Sequence, residues 1–415
     1  MISALLKKYR NQIGDSIWSL FGLVLMNAMA QIAVYPLLAR QFGEVRYGEI
    51  QYLMAYVNII TVSVGCACNL ARMTSPAEER MQNGGDYNLF LLGVCLLGVP
   101  FVLLVCRFGG VAMATAEQLT YYLLFVAMAF RYYADVAFKL TLNYRRYFLY
   151  YLCICLGYGV GAFLAWKTGI WPLAILTGEA AGILFAYVRG SALRARALKI
   201  SPAFRHTVRA ILTLFVAEGI ANLIFNVDRL LLKFLIGATA VTVYYLATLV
   251  GKTMSLVTGP LNGVLIGYLS RYEGNLSKRA MRWIFIGALI AVAVCTGVCV
   301  VGGYLMLLLL YPDQLHMVKE FLFVGSLAQV IYFTTGMVTV ILIRFAKKTY
   351  QIYINAAFGI SFFGVGIPAT VLFGIWGFAV AMVIASATRF AVAMALGFRW
   401  VRKSEAEIAH ADTLL

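Results

Sequence analysis

Phe215-Val216-Ala217-Glu218-Gly219-Ile220-Ala221-Asn222-Leu223-Ile224-Phe225-Asn226-Val227-Asp228-Arg229-Leu230-Leu231-Leu232-Lys233 is an apolar run broken at regular intervals by ionisable and amide side chains. Glu218, Asn222, Asn226, Arg229 and Lys233 follow at steps of 4, 4, 3 and 4. At about 100° per residue they occupy a helical sector about 80° wide, with Asp228 about 100° from Arg229 beside the stripe. The remaining surface is hydrocarbon. Charge on such a helix is costly in lipid and marks a functional face by default.

The rest of the chain has the same character. Of 415 residues, 62% are hydrophobic and 12% charged, against about 25% charged in a soluble domain. Apolar runs long enough to cross a bilayer core of about 30 Å recur from end to end. They predict an all-α membrane protein with twelve transmembrane helices, near 16–39, 49–71, 87–106, 118–140, 147–166, 170–188, 210–236, 241–268, 283–310, 317–343, 350–372 and 375–398. The first run is too long for a cleaved signal peptide and lacks a small-residue cleavage site, so it reads as a retained span.

The cations orient these spans. With the N-terminus in the cytoplasm, 23 of the 34 Lys and Arg fall in inside segments and five (Arg40, Arg46, Arg107, Lys167, Lys319) in outside segments. That asymmetry places both termini in the cytoplasm. It also explains most of the +17 net charge: the cations are distributed loop by loop, which argues against nucleic-acid binding.

The two halves resemble each other in parallel. A shift of 194 residues lays Asn58, Thr61 and Gly65 over Lys252, Ser255 and Gly259, and Gly43 over Gly237; after an 11-residue drift, Gly169-Ile170-Trp171 lies over Gly374-Ile375-Trp376. This predicts two six-helix bundles related by a parallel pseudo-repeat, with the substrate site between them. The divisions are an N-terminal lobe over 1–189, a basic cytoplasmic linker over 190–209, a C-terminal lobe over 210–400 and a cytoplasmic tail over 401–415.

Polar stripes recur on other spans: Thr248, Lys252, Ser255, Gly259 and Asn262 on the eighth; Asn58, Thr61, Gly65, Asn69 and Arg72 on the second; Asn27 and Gln31 on the first; and Arg131, Asp135 and Lys139, continued by Asn143, on the fourth. Arg229, Lys233 and Lys252 outnumber nearby carboxylates, so the predicted cavity is positive and suits an anionic substrate. Lys233 and Lys139 lie near span ends and equally fit snorkelling. Arg131, Asp135 and Lys139 equally fit a self-satisfied ion-pair ladder. Arg389 and Glu179 stand as lone intramembrane charges, and interfacial belts account for most of the tyrosines.

No catalytic constellation is present. Gly251-Lys252-Thr253 lacks the glycine a phosphate-binding loop needs, since Leu246 stands in its place. The three histidines are scattered, and the eight cysteines form no CxxC pair. We therefore expect no enzyme activity, no cofactor and no metal site.

Several short stretches together resemble the polysaccharide (Wzx-type) flippases, which move lipid-linked O-antigen and capsular repeat units and belong to the multidrug/oligosaccharidyl-lipid/polysaccharide superfamily. They are Asp15-Ser16-Ile17-Trp18, Ala39-Arg40-Gln41-Phe42-Gly43 leading to Tyr47-Gly48, Asn226-Val227-Asp228-Arg229-Leu230-Leu231-Leu232, Val243-Tyr244-Tyr245-Leu246-Ala247 and Gly374-Ile375-Trp376-Gly377. The resemblance implies alternating access in a bacterial inner membrane, carrying an undecaprenyl-pyrophosphate-linked oligosaccharide to the periplasmic leaflet. It implies a cationic cavity on the first two helices of each lobe, with Asp228 and Arg229 part of it. Lys252 is our inference from the stripe. On this reading Arg229, Lys252, Lys233 and Arg72 hold anionic groups, while Asn58, Asn69, Asn222, Asn226 and Asn262 bond sugar hydroxyls. Glu218, Asp228 and Asp135 are the candidates for coupling to H+ or Na+, and membrane lipids and other polysaccharide-assembly proteins are the expected further partners. The alternatives are a drug or metabolite exporter of the same superfamily, a lipid II flippase, and a membrane glycosyltransferase or polymerase.

Overall fold

The computed structural model describes residues 21–412, apart from 142, 198–199, 271–275 and 347–348. The N-terminal cations and the Asp15-Ser16-Ile17-Trp18 stretch lie outside the described residues. Described secondary structure is helical throughout: α1 (Phe21–Thr74), α2 (Gly84–Phe108), α3 (Thr115–Ala134), α4 (Tyr144–Thr168), α5 (Leu173–Arg189), α6 (Phe204–Leu235), α7 (Ala238–Ser270), α8 (Lys278–Leu310), α9 (Leu322–Phe345) and α10 (Tyr350–Asp412), with short helical turns between them.

Among the described residues, seven helical runs are long and apolar enough to cross a membrane. Two of them, Phe21–Thr74 and Tyr350–Lys403, have 54 residues each. At 1.5 Å per residue each is about 80 Å of helix, far more than one crossing of a core about 30 Å thick. Each is two helices joined at a kink on a glycine with non-helical backbone: Gly43 at φ 72°, ψ 174°, and Gly374 at φ 61°, ψ −140°. Those angles lie where a Cβ is strained, so glycine is required. Helix thus occupies most of the described part of each of the twelve expected spans, although the sixth starts at Leu173 and Asp135 interrupts the fourth. Gly237 and Gly169, the positions the internal repeat pairs with Gly43 and Gly374, also have positive φ, at 136° and 72°.

By contacts the chain divides into two compact units, Met1–Leu231 and Leu232–Leu415. In the first, Val64, Ala67 and Cys68 of α1, Tyr87 and Leu91 of α2, Ala129 and Tyr133 of α3, Ala192, and Ile211 of α6 share one buried core. The basic segment before α6 is fastened to the start of α2. Asp86 accepts hydrogen bonds from the Ser201 backbone N–H (2.9 Å) and hydroxyl, while Asn88 Nδ2 donates to the carbonyls of Ala192 (3.2 Å) and Ala195 (2.8 Å).

α4 and α5 make the closest helix pair of this unit. Asn143 caps α4 by accepting from the Arg146 N–H, and the helix stops at left-handed Gly169. A Cβ on Gly161 would lie 2.0 Å from Thr177 Oγ1 and 2.4 Å from the Leu173 carbonyl oxygen, so only glycine permits this approach. Small residues serve such contacts in lipid, where van der Waals packing replaces the hydrophobic drive.

The same helices bury an ion pair. Arg131 Nε of α3 lies 2.6 Å from Glu179 Oε2 of α5, with the two side chains 6% and 1% exposed. Tyr158 donates to Glu179 at 2.5 Å, Tyr150 donates to the Arg131 carbonyl at 2.9 Å, and the guanidinium sits 3.8 Å from the Tyr132 ring centroid. Of the two charges that stand alone in sequence, Glu179 answers Arg131, which pairs with it rather than with Asp135. Tyr121, Tyr133, Tyr150 and Tyr158 are buried, and each hydroxyl has a polar partner.

The second unit has its own core, with Met281 and Ala288 of α8, Val338 and Leu342 of α9, and Ile354, Ala393, Met394 and Val401 of α10. Ser277 caps α8 by accepting from the Ala280 N–H at 3.2 Å.

Removing one partner of a buried ion pair leaves an uncompensated charge and costs about 3–5 kcal/mol, whereas replacing both by apolar groups is nearly neutral. Glu179→Gln should therefore lower the unfolding midpoint of the purified protein sharply, and adding Arg131→Met should restore most of the loss. Equal midpoints for the wild type and Glu179→Gln would show that the pair carries no stability. Gly161→Leu should likewise lower the midpoint, while Gly93→Leu, where a Cβ meets nothing within 4 Å, should not.

Candidate functional site

The stripe on the second half of α1 lies on an altered helix. α1 carries two π-helical segments, Met29–Val34 and Asn58–Val62. The first holds Gln31, and the second holds Asn58 and Thr61. π turns interrupt the regular hydrogen-bond ladder and concentrate at functional positions. Asn58 is half-buried, and Thr61 is buried, its hydroxyl donating to the Val57 carbonyl at 2.8 Å.

One turn further on, Ser63 accepts a 3.1 Å hydrogen bond from Asn222 Nδ2 of α6. This contact joins the α6 stripe to α1 through Ser63, which lies on the face of α1 away from Asn58, Thr61 and Gly65. Asn222 also donates to the Glu218 carbonyl (2.9 Å), and Asn226 donates to the Asn222 carbonyl (2.8 Å), so the amides run back along α6. Glu218 is half-buried. Asn226, Asp228 and Arg229 are 3%, 4% and 7% exposed. A cation so far removed from water is stable only with polar or anionic company.

The other candidates of this unit gather differently. Asn69 donates to Asp135 and, at 3.1 Å, to the Tyr132 carbonyl. Asp135 accepts from Tyr147 at 3.0 Å and pairs with Lys139 Nζ at 3.0 Å. Arg72 donates to the Tyr133 hydroxyl and lies 5.9 and 5.7 Å from the Tyr87 and Tyr133 ring centroids. Asn69, Arg72 and Asp135 are thus set in a network of protein partners that joins α1 to α3 and α4.

In the second unit, Lys252 of α7 is 6% exposed. It follows Gly251, where a Cβ would meet Gln329 Cβ at 2.8 Å, so α7 comes close to α9 at this level. Thr248, one turn earlier, is fully buried and donates to the Tyr244 carbonyl at 2.9 Å. Asn262 is half-buried, and its Oδ1 is buried without a hydrogen-bond partner. Lys233 is half-buried at the end of α6.

Arg389 has a setting that no sequence pattern discloses. Its guanidinium donates to the Tyr332 carbonyl (2.9 Å) and Asn355 Oδ1 (3.2 Å) and lies 4.1 Å from the Tyr332 ring centroid. Its partners come from α9 and from the first half of α10, so their spacing along the chain carries no signal. Among the described residues, no three His, Cys, Asp or Glu side chains gather as a metal ion would need.

No protein-family model matches the sequence, and no curated protein matches it either. Solved structures do match the fold. The chain is 14% identical, at a TM-score of 0.66, to an inward-facing multidrug resistance MATE family transporter of the MOP superfamily, covering 93% of this chain and 95% of that one. It is 15% identical, at a TM-score of 0.57, to the lipid II flippase MurJ in an inward closed conformation, covering 92% and 87%. A MOP superfamily transporter from Pyrococcus furiosus, described as having a binding pocket of reverse polarity, matches at 14% identity and a TM-score of 0.57 over 94% of both chains. Over nearly its whole described length, then, this multi-pass helical chain has the fold of the MOP superfamily transporters, drug exporters and a lipid flippase among them.

Proposed function

We propose that the chain is a flippase that carries an undecaprenyl-pyrophosphate-linked oligosaccharide repeat unit from the cytoplasmic to the periplasmic leaflet, for O-antigen or capsular polysaccharide synthesis. The observation that carries this reading is the burial of cations within otherwise apolar helices: Arg229 is 7% and Lys252 6% exposed. Holding cations there is costly, and an anionic headgroup offsets that cost. The fold shared with transporters supports alternating access, and a lipid II flippase among the similar structures supports a lipid-linked cargo.

In this mechanism Arg229 and Lys252, with Lys233, attract the pyrophosphate. Asn58, Asn222, Asn226 and Asn262 exchange hydrogen bonds with sugar hydroxyls, and the prenyl tail stays in lipid. Asn69 and Arg72 shape the wall around them from their fixed network. Coupling to H+ or Na+ falls to Glu218 or Asp228; Asp135, already held by three partners, is the third candidate. The chain performs no chemistry on its cargo. The paired positive-φ glycines support two six-helix halves in parallel repeat, and the Lys/Arg asymmetry supports cytoplasmic termini in a bacterial inner membrane.

A second reading, export of cationic drugs, has the MATE structures in its favour. Buried Arg229 and Lys252 oppose it, because like charges repel.

Complementation tests the cavity. Losing one partner of a buried charge pair costs about 2 kcal/mol or more, so Arg229→Gln with Lys252→Gln should reduce surface polysaccharide by at least about tenfold at unchanged membrane abundance. Export at the wild-type level would end the cavity assignment. Topology is checked by fusions: a fluorescent protein after Leu415 should fluoresce, and alkaline phosphatase inserted after Pro312 should be active; the reverse pattern would invert the orientation. A purified-protein assay should detect no sugar transfer, and measurable transfer would favour an enzyme.

A further inference from the structure

One end of the second unit holds a cleft that the proposed transport does not use. It has a volume of about 390 Å³ and is lined by Lys278, Ala395, Phe398, Arg399 and Arg402. We propose that it binds the phosphate headgroup of an anionic phospholipid, a resident of the bilayer rather than the transported cargo.

The lining has a simple origin. Lys278 is the first residue of α8, and the other four recur on α10 at steps of 3, 1 and 3, which is one helical face. The two helices are locked together beside the cleft. Phe285 stacks on Phe390 at 6.1 Å and meets Phe398 edge-on at 6.4 Å, while a Cβ on Gly397 would lie 2.4 Å from Met281 Cε. The cations are therefore presented by a rigid joint, not by a loop.

Charge and polarity select the ligand. The lining carries three cations and no carboxylate. Among the described residues, neither Arg399 nor Arg402 enters an ion pair. The positive end of the α8 dipole lies at the same place. Guanidinium groups match phosphate oxygens in geometry as well as in charge.

The surroundings favour a lipid over a soluble phosphate. From the cleft, the same face of α10 continues through exposed Ala395, Ala391, Ala387 and Ile384. Along α8, Trp283, Ile286 and Ile290 are 63%, 43% and 59% exposed. A polar socket that opens onto an apolar track fits an amphiphile. Basic pockets between helices at the cytoplasmic side bind anionic headgroups in this way, and the Lys/Arg count assigns these helix ends to that side.

The test uses the full-length protein in detergent, titrated with phosphatidylglycerol, phosphatidylcholine, undecaprenyl diphosphate or inorganic phosphate. Lipid retention is read by native mass spectrometry and stability by thermal unfolding. The proposal expects phosphatidylglycerol to be retained more tightly than phosphatidylcholine, with each of Lys278→Gln, Arg399→Gln and Arg402→Gln weakening it by about fivefold. Arg402→Lys should retain most of the binding. An unchanged lipid preference in the triple Gln variant would overturn the proposal. So would stabilisation by inorganic phosphate equal to that by phosphatidylglycerol, which would mark a soluble-anion site. Displacement of phosphatidylglycerol by undecaprenyl diphosphate at equal concentration would overturn it too, by making the cleft part of the cargo path. If the triple variant does not elute as the wild type does, the single variants decide the question.

Discussion

Hydrocarbon gives a polar group nowhere to go, and this constraint organises the chain. Every helix satisfies its own backbone, but Arg131, Glu179, Asp135, Arg72 and Arg389 cannot satisfy themselves. The first unit resolves the problem by joining opposites across helices. Arg131 meets Glu179, Asp135 is reached by Asn69 and Tyr147 as well as by its neighbour Lys139, and Tyr158 donates to Glu179. The result is a polar skeleton inside an apolar bundle, in which α3, α4 and α5 are fixed by directional bonds as well as by packing. Such bonds specify one arrangement of helices where greasy surfaces alone would permit several.

Much of the architecture was legible in the sequence, because span length and period are local properties. Each expected apolar run is largely occupied by helix where the chain is described, and Gly43 and Gly374 were visible as breaks. What stayed hidden was the pairing between helices. Glu179 looked solitary because its partner lies 48 positions away on α3, and a stripe shows which face is polar but not which face it meets. The same limit concealed Tyr332 and Asn355 around Arg389. Tyrosine adds a related ambiguity: its amphipathic ring suits a membrane interface, yet it suits equally well a buried charge that needs one more hydrogen bond.

Arg72 and Arg229 show how differently two buried cations on polar stripes can be surrounded. Both sit on stripes, and both are nearly inaccessible. Arg72 has a tyrosine hydroxyl and two aromatic rings around it. Arg229 lies among the amides of α6, where Asn222 also reaches Ser63 of α1. Two arginines of similar burial therefore stand in different polar settings, which burial alone does not reveal.

The glycine joints have a mechanical corollary. Where α1 and α10 are kinked, a single residue of left-handed backbone replaces a loop, so the two rods on either side have almost no slack between their tips. Consecutive Cα atoms are 3.8 Å apart whatever the dihedrals do. The rods can swing about such a knuckle, but their tips cannot separate. Whatever rearrangement these two rod pairs undergo, its amplitude must therefore grow with distance from the knuckle and be largest at their opposite ends.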